Sequence, residues 1–140
     1  MKYNREELID QLIDHEGMEL EVYEDSLGIP TIGIGRNLVD RGITEDEARF
    51  LCNNDIDIVE RELVAEFPIV AELDSIRQRV LIDMAFNVGV PRLTGFRKMW
   101  AAIHCGDYAE AAVEMMDSKW ARQVGRRAER LSSMMETGVE

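Results

Sequence analysis

Cysteine, histidine and proline are scarce in this chain: two, two and three residues in 140. Cys52 and Cys105 are far apart, with no CxxC pair and no histidine at ligand spacing. Two buried free thiols are the expectation, with a disulfide between them as the alternative. His15 and His104 stand alone, so no metal site is expected. Apolar runs are only a few residues long, which excludes a membrane-spanning helix. The start, Met1-Lys2-Tyr3-Asn4-Arg5-Glu6-Glu7, has no apolar core and does not read as a secretory signal, which predicts synthesis in the cytosol. Ser/Gly linkers, repeats and low-complexity tracts are missing too. The expectation is therefore one domain over residues 1–140.

Basic residues are rare in one part of the chain only. Residues 1–75 carry 6 Lys+Arg against 20 Asp+Glu, net −14, and residues 76–140 carry 10 against 8, net +2. The total of −12 disfavours binding to nucleic acid or to an anionic membrane, since like charges repel. With 46% hydrophobic residues, the chain nevertheless has enough apolar content to fold.

Asn4 with Glu7 resembles a capping box, and Leu8, Ile9, Leu12 and Ile13 follow on one helical face. This helix is expected to end at Glu16-Gly17. The period then changes. Val22-Tyr23, a turn at Asp25-Ser26-Leu27-Gly28 and the run Ile29 to Gly35 predict a small antiparallel sheet. Thr44-Glu45-Asp46-Glu47 opens a helix reaching towards Phe67-Pro68, with Ala48, Leu51, Ile58, Val59 and Leu63 as its core stripe. Further helices are expected over about 75–88, 95–105, from Asp107 onward and 125–135, and most of the eight methionines are expected as core filler. The fold class is α+β, mostly helical, with one segregated early sheet. The division expected is a sheet lobe at about 17–43, a connecting helix at about 44–67, and a helical lobe at about 68–140 plus helix 4–16.

Chemistry concentrates at the junction of helix and sheet. Glu16 closes the first helix, Asp25 sits in the hairpin turn, and Glu19, Glu21 and Glu24 lie between. Two carboxyls in unlike environments can cleave a glycosidic bond, one donating a proton and one activating water; acids at helix ends and turns can equally be solvated surface. In Thr31-Ile32-Gly33-Ile34-Gly35, two glycines alternate with β-branched residues, leaving one strand face bare. Such a face suits either a tight strand crossing or a floor under a ligand.

His15-Glu16-Gly17, Tyr23-Glu24-Asp25 and Gly28-Ile29-Pro30-Thr31-Ile32-Gly33-Ile34-Gly35 together resemble the phage-type lysozymes, glycoside hydrolase family 24. Met84-Ala85-Phe86-Asn87-Val88-Gly89, Tyr108 to Val113, Ser118-Lys119-Trp120 and Gly125 to Arg130 continue the resemblance in family order. It implies a lysozyme-like fold with an active-site cleft between the lobes. The implied reaction is hydrolysis of the β-1,4 bond between N-acetylmuramic acid and N-acetylglucosamine in peptidoglycan, with inversion. Glu16 then matches the general acid, Asp25 the second carboxylate, and Thr31 the hydroxyl holding the attacking water. Arg127 matches an arginine near the acid, or else is a surface helix charge. Phe86 and Asn87 match the cleft lining, though Phe86 could equally be core. Arg36 stands where the family usually has histidine, so an always-charged partner replaces a titratable one.

The resemblance implies no cofactor, a monomer, and no stable membrane association. It further implies access to the cell wall with the help of a holin, or delivery within a virion. Two other readings stay open on the sequence. A lytic transglycosylase needs one acid/base glutamate and no water-holding aspartate. An acidic, non-enzymatic protein could instead occupy a basic partner.

Overall fold

A computed structural model describes all 140 residues. Its elements run α1 (Arg5–Glu16), β1 (Glu19–Glu24), β2 (Pro30–Gly33), β3 (Arg36–Asn37), α2 (Glu45–Glu66), α3 (Ser75–Val88), α4 (Val90–Leu93), α5 (Arg97–His104), α6 (Tyr108–Met116), α7 (Lys119–Val124) and α8 (Arg126–Thr137). A single 3₁₀ turn, Pro68–Glu72, links α2 to α3. The chain divides into two compact units, Met1–Leu51 and Cys52–Glu140, with the boundary inside α2.

The first unit holds α1 and a three-stranded antiparallel sheet in the order β1-β2-β3. Asn4 caps α1 by accepting from the Glu7 N–H at 3.1 Å, and Gly17 ends it at φ +80° with its N–H on Ile13 O. Tyr23 pairs with Thr31 across β1 and β2, with a register irregularity between Glu19 and Tyr23. Thr31 pairs in turn with Asn37 of β3. This unit has no apolar core. Thr31, 4% exposed, is its one buried residue, and no side chain of α1 is buried. Backbone ladders, turn hydrogen bonds and polar ties must therefore hold its shape.

The second unit contains every buried apolar side chain, from Leu63 to Met135. Phe67 stacks on Trp100 with centroids 3.6 Å apart, and Phe96 meets Trp120 edge-on at 6.2 Å. Met84, Met99, Met115, Met134 and Met135 fill this core, whereas Met1, Met18 and Met116 are exposed. Arg77 fastens the start of α3 to the end of α8. Its Nε donates to Met135 O at 2.6 Å and its Nη2 to Glu136 O at 2.9 Å. Its guanidinium also lies 3.7 Å from the Tyr108 ring centroid.

Two expectations need correction. Of the proposed stripe on α2 only Leu63 is buried; Val59 is half-buried against the core, while Ala48, Leu51 and Ile58 are exposed. A helix of 22 residues is about 33 Å long; Ala48 and Leu51 fall in the unit that has no apolar core, and Ile58, although in the second unit, is not covered by its core side chains. The thiols of Cys52 and Cys105 are free, as expected, but exposed rather than buried. Cys52 lies in the same uncovered stretch of α2, and Cys105 follows the last turn of α5 just before Gly106.

Candidate active site

Glu16 is the last residue of α1 and is exposed to solvent. Its carboxylate rests on the backbone of Gly35, close enough that a Cβ there would stand 3.1 Å from Oε2 and 3.4 Å from Cδ. Gly35 has φ +70°, which penalises a side chain on its own. Of the two glycines in Thr31-Ile32-Gly33-Ile34-Gly35, Gly35 alone lies under the Glu16 carboxylate. Gly33, at φ +71°, has nothing within 4 Å of the equivalent point.

Asp25 and Thr31 both bond the backbone of Ile29, the carboxylate through its N–H and the hydroxyl through its carbonyl. Asp25 Oδ1 accepts from Leu27 N at 2.8 Å and from Ile29 N at 2.9 Å, closing the hairpin turn. Asp25 N donates to Ile29 O at 3.0 Å, and Gly28 N donates to Asp25 O at 2.9 Å. The Thr31 hydroxyl also donates to Ile29 O, at 2.8 Å. One carboxylate oxygen of Asp25 is thus committed to the turn, and the hydroxyl proton of Thr31 is committed to Ile29. Oδ2 of Asp25 and the oxygen lone pairs of Thr31 remain as acceptors.

Arg36 follows Gly35 directly. Its Nη1 donates to Gly42 O at 3.1 Å and to Glu47 Oε1 at 2.9 Å. The same Glu47 oxygen accepts from Thr44 N at 2.9 Å, and the Thr44 hydroxyl accepts from Glu47 N at 3.1 Å. The capping box read from the sequence is therefore also the anchor for Arg36. Hydrogen bonding from Arg36, then from Thr44, holds the Glu47 carboxyl down to about 2, and the same bond raises the Arg36 guanidinium.

The other candidates belong to the helical unit. Arg127 forks onto Asp83, with Nε 2.8 Å from Oδ1 and Nη2 3.2 Å from the backbone oxygen. Phe86 is exposed, which removes the core alternative for it. Phe86, Asp83 and Arg127 border one cavity of about 820 Å³, together with Ile82, Arg126 and Arg130. Asn87 accepts from Trp120 Nε1 through Oδ1 at 2.8 Å, leaving its NH₂ free to donate. Trp120 and Phe96 border a second cavity, of about 790 Å³, ringed by Arg92, Arg97, Lys98 and Lys119.

Four partners went unassigned in the sequence. Glu47 reads only as a cap, and Ile29 contributes only its backbone N–H and carbonyl, which residue type does not reveal. Asp83 had a usable signal, because it lies four residues before Asn87 on one face of α3. Trp120 contributes an indole N–H, which when buried usually finds an acceptor.

Comparison with known proteins adds an independent finding. The phage lysozyme family model matches residues 13–135, a span that takes in every candidate above. A probable T4-type lysozyme 1 of Dictyostelium discoideum is 30% identical, over 93% of this chain and 94% of its own length. A probable T4-type lysozyme 2 of the same organism is 30% identical, over 94% and 95%. The pre-baseplate central spike protein of Enterobacteria phage T4 is 29% identical over 88% of this chain, which corresponds to 26% of that longer protein.

Proposed function

Because this chain belongs to the phage lysozyme family of glycoside hydrolases, we propose that it cleaves the muramic acid to glucosamine linkage of peptidoglycan by inversion, with Glu16 as general acid. Glu16 delivers its proton to the glycosidic oxygen as the bond to the anomeric carbon breaks. Asp25 takes a proton from the attacking water through Oδ2, the oxygen that the hairpin turn leaves free. Thr31 accepts the other hydrogen of that water, because its own hydroxyl proton is occupied by Ile29 O. Water enters opposite the leaving group, so the product forms with inverted configuration, and such a pair of carboxyls works about 6.5–9.5 Å apart.

The observation that carries this reading is the backbone of Ile29, whose N–H holds the Asp25 carboxylate and whose carbonyl holds the Thr31 hydroxyl. It fixes a carboxylate and a buried hydroxyl in one rigid turn, each with its acceptor side unused. The exposed ring of Phe86 offers an apolar face to a sugar, and the free amide donor of Asn87 suits an N-acetyl carbonyl. Arg127, held by Asp83, supplies a cation on the cavity that Phe86 also borders. No helix is long and apolar enough to cross a membrane. Within this proposal, access to the wall comes through a membrane-permeabilising partner such as a holin or by delivery within a virion, and the working species is a monomer.

Clearing of outer-membrane-permeabilised cells by wild type, Glu16→Gln and Asp25→Asn, followed by mass spectrometry of the fragments, tests the assignment. Each variant should lose about 10²–10⁴-fold in rate with the fold intact, the range expected for a lost proton-transfer group. Products should carry hydrated reducing ends. Substantial lysis by Glu16→Gln removes it as the acid, and 1,6-anhydro ends replace hydrolysis by transglycosylation.

A further inference from the structure

We infer that Arg36 is a positioning residue for Glu16: clamped to Gly42 O and Glu47, its guanidinium fixes the Gly35 backbone on which the Glu16 carboxylate lies. The inference rests on the assignment of Glu16 as the acid and concerns how that acid is held.

Three observations converge on it. The unit that contains Glu16 has no apolar core, with Thr31 its one buried residue, so packing cannot fix the turn between β2 and β3. That turn runs through two glycines at positive φ, Gly33 and Gly35, and is soft without external ties. On its far side β3 is only two residues long, Arg36–Asn37. Its backbone pairs with Ile32 and Thr31, and Asn37 Oδ1 accepts from Val39 N and Asp40 N to close the next turn. The Arg36 side chain is the tie that carries this segment to the start of α2, through the oxygen of Glu47 that also receives Thr44 N. Glu47 is the charged group facing Arg36, and it stays ionised across the working range because its carboxyl is held down to about 2. The clamp therefore does not titrate where the enzyme works.

A mechanical role of this kind differs from plain stabilisation in what it changes. If the Gly35 floor shifts, the proton of Glu16 is delivered from a poorer position; kcat falls and KM, set by sugar contacts elsewhere, stays. Arg36→His, Arg36→Lys and Arg36→Met are compared with wild type and Glu16→Gln on purified peptidoglycan, at temperatures where circular dichroism shows each variant folded. Arg36→Met should lower kcat about tenfold with KM within about twofold. Arg36→Lys should recover part of the loss, because its ammonium keeps the charge and the N–H donors but lacks the planar, pre-organised guanidinium and places its nitrogen differently. Arg36→His gives the decisive readout. Its kcat should gain an ionisation near pH 6.5 that wild type lacks, approaching wild type below it and Arg36→Met above it.

If Glu16→Gln is inactive while Arg36→Met keeps wild-type kcat and Arg36→His keeps the wild-type pH profile, the inference is overturned and the acid assignment stands. If Glu16→Gln retains activity, the acid assignment fails and the inference fails with it.

Discussion

Gly35→Ala separates backbone strain from displacement of the proposed acid. Alanine at φ +70° costs about 1–2 kcal/mol, since the left-handed region crowds Cβ against the carbonyl oxygen. Its methyl group would also stand 3.1 Å from Glu16 Oε2, where ordinary contact begins at 3.4 Å, so the carboxylate must retreat by about 0.3 Å or more. A 1 Å misplacement of a reacting group costs on the order of 10²-fold, and log-linear scaling gives about fourfold for 0.3 Å. Gly33→Ala is the control. It has the same positive φ, +71°, with nothing within 4 Å of the new methyl group. Both variants should melt several degrees lower, since each 1 kcal/mol is worth roughly 3–6 °C in a domain of this size. Only Gly35→Ala should also lose kcat, by about fourfold or more, in initial-rate assays that count new reducing ends on purified peptidoglycan. Equal kcat in the two variants, with equal loss of melting temperature, would refute the floor beneath Glu16.

Arg77→Ala removes two hydrogen bonds from a guanidinium to the last carbonyls of α8 and a stacking contact with Tyr108, and should cost about 2–4 kcal/mol in chemical denaturation. Arg77→Lys should restore less than half of that, and full restoration would mean that charge alone matters there. Glu47→Gln should lower thermal stability at neutral pH. Because the folded-state carboxyl is depressed to about 2, its contribution is complete above the unfolded value near 4.5 and is lost as pH falls through about 2. The gap in melting temperature between wild type and Glu47→Gln should therefore close between those limits; a gap that persists at pH 2 counts against the charged clamp. Cys52 and Cys105 should both react with a thiol reagent in the native protein at nearly the denatured rate. Strong protection of either one would contradict its exposure.

Much of the architecture was legible because its signals are local. Ser75–Val88 is bounded by Asp74, whose side chain accepts from Arg77 N, and by Gly89, and both ends were readable. The short helices were not. Gly89-Val90-Pro91 reads as a break, yet Pro91 sits in the first turn of α4, where its missing N–H costs nothing. α7 has a readable cap, Ser118 Oγ accepting from Ala121 N, but only six residues, too few for a periodic pattern. The stripe on α2 failed for a different reason. Periodicity reports which side chains share a face, and whether that face meets a core is a property of the distant chain. Leu51 and Ile58 satisfy the pattern and stay exposed for want of anything against them.

The candidate site shows the same division between short and long range. Asp25 was legible as a turn residue, and the turn is what holds it: the Asx geometry that marks such positions also orients the carboxylate. The bare face of Gly33 and Gly35 was legible as an opening, but what meets it at Gly35 was not, because Glu16 arrives from a helix nineteen positions earlier. Arg36 was noticed only as a departure from the family histidine, and its function depends on Glu47, which local reasoning had already used as a helix cap. The acidic excess of the first 75 residues acquires a physical reading from this. A unit with no apolar core gains little by excluding water, so it can keep Glu16 and Asp25 at helix end and hairpin turn without the desolvation penalty that burial would impose. Hydrogen bonds to backbone amides and one arginine then supply the rigidity that packing supplies in the helical unit. On this argument the sheet unit gives up hydrophobic stabilisation for access, and Arg36 is the residue most exposed to that exchange.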